Sequence, residues 1–180
     1  MSHYVTTHNA NGEAIFTSKI PTEHVHVPTP FGSMNILSTT HNTPLNVSTE
    51  ADIDQYAQDR TEGLGQRICP NNGTATAFVN MKPNASSPLH RTMTHDVVVV
   101  IEGELEFHLD SGEKIVMKAG DSVVQRAGMH RWVNVTPSDG WARMLAFAQP
   151  VVEPVEVGAK KLVTDFRLPE GLETYRAPVR

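Results

Sequence analysis

Imidazole and carboxylate are the side chains that move protons or hold metal ions near neutral pH, and both crowd one stretch of this chain. That stretch is "PLHRTMTHDVVVVIEGELEF", residues 88–107, with His90, His95 and Asp96 at the mouth of the most apolar run. Three readings are open for it: a metal site, an acid–base site, or the polar start of a buried strand. In a regular strand side chains alternate, so His90, Thr92, Thr94, Asp96 and Val98 share one face, and Met93 and His95 take the other. In "GMHRWVN", His130, Trp132 and Asn134 share a face in the same way. Two such strands facing each other inside a barrel bring His90, Asp96 and His130 within reach of one atom.

Other reactive side chains read more plainly. His95 has the wrong parity and is expected to be exposed or between sheets, and Asp96 has the competing role of closing a turn ahead of its strand. In "ELEFHL", His108 shares an outward polar face with Glu104 and Glu106, while Leu105, Phe107 and Leu109 point inward. "HVH", His24 to His26, reads as an edge strand with two solvated histidines. Arg126 and Arg143 are candidates to hold a ligand carboxylate or phenolate, although surface ion pairs are the commoner fate of arginine. Cys69 precedes Pro70 in a loop, and no nucleophile motif accompanies it.

These residues must be positioned by strands. From Gly73 onward, "TATAFVNM", "DVVVVI", "ELEFHL", "KIVM", "DSVVQR", "RWVNV" and "ARMLAFA" are short, β-branched or aromatic, and separated by Gly, Pro, Asn and Asp turns. Regular strands with no intervening helices predict an antiparallel sandwich or barrel. "STEADIDQYAQDR" predicts the one helix, with Thr49 as its cap, Asp52 at the third position of a capping box, and Ile53, Tyr56 and Ala57 on one face. Three regions follow: an N-terminal arm over 1–22, a single domain over 23–150, and a C-terminal strand and arm over 151–180.

Composition limits the partners. The 180 residues suit one domain, and a net charge of −5 with interspersed signs carries no basic block of nucleic-acid type. No apolar run approaches the roughly 18 residues a membrane helix needs. One cysteine cannot form an internal bridge, and "MSHYVTTHNANGE" lacks the basic start and apolar stretch of a signal peptide. The expectation is a reduced, cytoplasmic protein whose partners are a small molecule and a second copy of itself, with neither nucleic acid nor membrane.

The motifs resemble those of the cupins, small double-stranded β-helix (jelly-roll) barrels. Their first motif reads G-x5-H-x-H-x3,4-E-x6-G and their second G-x5-P-x-G-x2-H-x3-N. Anchoring the first on Gly103 puts Asp96 at the glutamate position, His90 at the first histidine and Thr92 at the second. The second runs from Gly120 to Asn134, with "QRAG" in place of its Pro-x-Gly and one residue missing before His130. The match spans residues 75–148. The wording also resembles a branch of small fungal cupins, some encoded in polyketide clusters and labelled oxidoreductases.

The resemblance implies an all-β cupin barrel with an N-terminal extension and one short helix, paired as a homodimer. It implies a site at His90, Asp96 and His130, with Thr92, Trp132, Asn134 and Arg126 as substrate-binding candidates. Cupin metal sites hold three histidines and a glutamate. Here the matching positions leave two histidines and an aspartate, a set that still forms a facial triad for Fe, with Zn or Mn as other divalent candidates. The metal-free alternative makes His130 a base and His90 an acid, with Asp96 orienting one imidazole and raising its pKa. The functional expectation is an enzyme on a small, mostly apolar oxygenated metabolite, such as a polyketide-like aldehyde, phenol or acid. Its chemistry would be isomerisation, dehydration, decarboxylation or cyclisation. The alternatives are a metal-dependent oxidase or dioxygenase and a non-catalytic small-molecule binding module.

Overall fold

Alternation along the valine run organises the molecule. The computed structural model describes residues 1–64 and 67–167. Strand β7 (Thr94–Glu102) buries Asp96, Val98 and Val100 on one face and leaves His95, Val97 and Val99 half-buried on the other. Facing it, β8 (Glu104–Leu109) turns Leu105 and Phe107 inward, as its parity predicts, and Glu106 and His108 pair outside at 2.7 Å. Met81, Val100, Leu105, Met117, Trp132 and Met144 complete the core between the two sheets. Full burial of a side chain like Leu105 contributes about 1.5–3 kcal/mol.

Six strands form one sheet: β10 (Ser122–Arg126), β7, β12 (Ala142–Pro150), β5 (Thr74–Met81), β4 (Gly32–Thr40) and β3 (Val27–Thr29), in that order. Five form the other: β15 (Asp165–Arg167), β6 (Leu89–Arg91), β11 (His130–Asn134), β8 and β9 (Lys114–Lys118). Every pairing within them is antiparallel. The motif glycine Gly103 makes the β7–β8 turn at φ +79°, where an added Cβ would lie 2.5 Å from Thr136 Oγ1 and 2.8 Å from Trp141 O. Glycine is required there both for its backbone and for space.

The one helix among the described residues, α1, spans Ala51–Glu62, and its cap differs from expectation. Glu50 is the N-cap and makes no side-chain cap bond, and Thr49 Oγ1 reaches Ala51 N only at 3.5 Å, so no capping box forms. Tertiary contacts hold the helix instead: Ile53 and Tyr56 pack with Ile20 and Ile36, and buried Asp59 accepts bonds from Thr39, His41 and Gln55. The region read as an N-terminal arm contains a hairpin, β1 (Thr6–His8) with β2 (Ala14–Phe16). It docks on this same helix: His3 Nε2 meets the Tyr56 hydroxyl at 2.9 Å, and Arg60 donates to the carbonyls of Pro21 and Glu23.

Two expectations about strands are corrected. The stretch 90–98 is not one strand, because it breaks at residues 92–93, leaving β6 in one sheet and β7 in the other. Among the described residues, the C-terminal region holds three short strands where one was expected: β13 (Val155–Val157) and β14 (Lys160–Leu162), turning at Gly158, and then β15. Strand β15 returns to β6 and sets Phe166 opposite His90.

Candidate active site

Between the sheets lies a cavity of about 400 Å³, walled largely by apolar side chains such as Phe31, Val79, Met81, Val98, Trp132 and Met144. Its polar lining includes Ser87, His90, Thr92, Asp96, Gln125 and His130. An apolar pocket with few convergent polar groups suits a small organic ligand.

The two histidines are adjacent, since β6 and β11 pair at His90 and His130 and their ring centroids are 4.3 Å apart. Each imidazole is held by a carbonyl two residues earlier: His90 Nδ1 by Pro88 O at 2.8 Å, and His130 Nδ1 by Gly128 O at 2.9 Å. A carbonyl only accepts, so each Nδ1 carries a proton, and each neutral ring keeps its lone pair on Nε2. Neither Nε2 has a hydrogen-bond partner among the described residues. Burial lowers the pKa of His90, against the pull of the Pro88 carbonyl, and burial plus repulsion from His90 brings His130 down to about 3. Both are neutral imidazoles at neutral pH.

Asp96 faces the cavity from the other sheet, between Gln125 on β10 and Ala148 on β12. It is 7% exposed, and its Oδ1 is buried without a hydrogen-bond partner among the described residues. Burial raises its pKa to about 6, opposed by a bond from the Thr94 hydroxyl. The same Thr94 hydroxyl lies 2.9 Å from that of Thr92, which also lines the cavity.

The structure revises several assignments. Asp96 was expected to orient an imidazole, but the Pro88 and Gly128 carbonyls do so, because Asp96 stands on the opposite sheet. The expected His90–Asp96–His130 metal triad is not assembled. Among the described residues no group of three or more His, Cys, Asp or Glu side chains is placed to hold a metal ion. Two imidazole lone pairs without a third protein donor do not match the Fe, Zn or Mn sites considered.

Trp132 and Thr92 line the cavity, Trp132 with its ring centroid 4.5 Å from that of Phe107. Asn134 does not: its Nδ2 donates to the carbonyls of Met81, Lys82 and Gly140, and its Oδ1 accepts from Thr136 N. It ties loops together. Arg126 is exposed on edge strand β10, where the alternation that turns Gln125 inward turns Arg126 out. Arg143 donates to Asn80 Oδ1 at 2.7 Å, and the buried Cys69 thiol is pushed up to about 12, which leaves it unreactive. His95 is half-buried on the sheet's other face, its Nδ1 without a partner among the described residues.

Gln125 and Phe166 are among the cavity residues not foreseen. Gln125 was legible from its parity with Val123 in "DSVVQR". Phe166 was not, because it reaches the site only by the return of the C-terminal strand.

A barrel of two antiparallel sheets with both histidine positions on its inner wall is a cupin, and the comparisons agree. The Cupin domain family matches residues 77–147. The chain is 32% identical over 160 residues to the cupin-domain-containing oxidoreductase fogC of Aspergillus ruber, covering 88% of this chain and 76% of that protein. It is 36% identical over 160 residues to the oryzines biosynthesis cluster protein J of Aspergillus oryzae, covering 88% and 87% respectively. The protein belongs to the cupin family. Among solved structures it is similar to KdgF from Halomonas sp., at 18% identity and a TM-score of 0.49, covering 74% of this chain and 92% of that one.

Proposed function

We propose that this protein is a cupin-type enzyme that transfers protons on a small, mostly apolar oxygenated metabolite enclosed in the barrel. The reaction class is isomerisation, dehydration, decarboxylation or cyclisation. One observation carries the reading: two Nδ1-protonated imidazoles offer Nε2 lone pairs in an apolar cavity, across from a buried carboxyl whose Oδ1 has no partner among the described residues. A neutral imidazole accepts a proton and a carboxylic acid donates one, so the pair can enolise a carbonyl substrate. A carbon beside the carbonyl loses its proton to Nε2, the electron pair moves to the carbonyl oxygen, and Asp96 protonates that oxygen.

The roles differ from those read in the sequence. His90 was expected to be the acid, but a neutral ring whose only proton is engaged by the Pro88 carbonyl has none to give at Nε2. Burial lowers the pKa of both rings, and we assign the base role to His90, the ring held between Phe166 and His130. His130 is then a neutral acceptor for a substrate hydroxyl, and Asp96 the acid. Trp132 and Thr92 shape the wall.

A second reading comes from the relatives, several of which are named cupin-domain-containing oxidoreductases. The test incubates the protein with apolar aldehydes, phenols and acids in deuterated water, with a chelator and without oxygen, and follows mass gain. Deuterium incorporation that disappears in His90→Gln supports proton transfer. Turnover only with oxygen and added iron(II) supports the oxidoreductase, and binding without turnover of any candidate supports a binding module.

A further inference from the structure

Strand β6 is only three residues long, and its pairing with β11 is the single couple His90–His130. Its other neighbour, β15, contributes three couples: Asp165 with Arg91, Phe166 with His90, and Arg167 with Leu89. The short strand that carries His90 is thus held on one side by the C-terminal strand, and on the other by β11 through the His90–His130 couple and the Ser87–Trp132 hydrogen bonds just before it. The side chains meet as well: the Phe166 and His90 rings are nearly parallel, at 17° and 5.4 Å between centroids. On its other side His90 meets His130 at 52°. Phe166 lines the same cavity as both.

We infer that Phe166 is a positioning residue for His90, its stacked ring holding the imidazole so that Nε2 faces the cavity. The Pro88 carbonyl alone fixes one atom of the imidazole and leaves the ring free to tilt about that bond. A parallel aromatic face removes the tilt and excludes the water that would compete for Nδ1 or protonate Nε2. The C-terminal strand is then part of the site. The inference rests on the reading of His90 as a base, but its test needs no substrate.

The test is the tautomer of His90, read from long-range proton–nitrogen spectra of ¹⁵N-labelled protein. Wild type is expected to show one neutral, Nδ1-protonated ring at His90. In Phe166→Leu, which keeps apolar bulk without an aromatic face, the signals should shift toward the average of the two tautomers. Phe166→Tyr should restore the wild-type pattern, and His130, held by Gly128, should change little. Phe166→Met serves as the second non-aromatic variant if Phe166→Leu does not fold by circular dichroism. A His90 signature unchanged in the non-aromatic variant overturns the inference, because a merely structural phenylalanine would act that way. A wild-type signature as expected, in a protein that incorporates no deuterium, would leave Phe166 as positioned and remove only the proposed catalysis.

Discussion

Replacing Asp96 by asparagine isolates the energetic cost that burial places on this carboxyl. Its Oδ1 has no partner among the described residues, and desolvation lifts its pKa from 3.8 to about 6. A folded-state pKa above the unfolded one means the native protein binds the proton more tightly. The stabilisation is therefore complete below about pH 4 and is lost as pH rises through about 6. A shift of roughly two units corresponds to about 3 kcal/mol at pH 7 and above. Asparagine has the shape of the protonated acid and cannot ionise, so the variant escapes that loss. Urea unfolding of both proteins from about pH 4 to pH 8 measures it, and taking the difference cancels every group they share. The stability of the variant minus that of wild type should rise by about 3 kcal/mol across this range, most steeply between about pH 4 and 6. A flat difference would show that Asp96 ionises freely, and the neutral proton donor would have to be abandoned.

Further outcomes follow from the same geometry. Turnover should fall as pH rises through about 6, as Asp96 loses its proton, and Asp96→Asn should be slow throughout with no such fall, as a pH–rate profile would show. Asn134→Ala should cost about 2–4 kcal/mol in urea unfolding, since it strips four bonds from buried loops, while Trp132 fluorescence quenching by bound ligand stays the same. Gly103→Ala should lower Tm by several degrees, at a cost of about 2 kcal/mol or more, because both its φ and its contacts reject a Cβ. His90→Gln should keep the melting temperature within a few degrees and abolish deuterium incorporation.

The barrel and its two histidines were legible because parity and turn residues are local signals: "DVVVVI" alternates, Gly103 and Gly120 take positive φ at turns, and His130 precedes Asn134 at the spacing of the second motif. What depended on tertiary return was not. Residues 92–93 cross between sheets, so His90 and Asp96 share a cavity without sharing a strand, and spacing alone suggested a triad that the barrel holds apart. Asn134 kept its motif position but spends its amide on backbone carbonyls, which no sequence pattern announces. Phe166 lies 76 positions from its stacking partner His90, and only the return of β15 brings the rings together.

The most direct test of the central claim is the charge and tautomer of His90 and His130 in the wild-type protein at pH 6.5, the midpoint of an ordinary histidine. Nitrogen spectra should show both rings mainly neutral and protonated at Nδ1, with His130 remaining so at about pH 5. A predominantly charged imidazolium at either residue, or a proton on Nε2, would mean that no lone pair is presented to the cavity and would contradict the account.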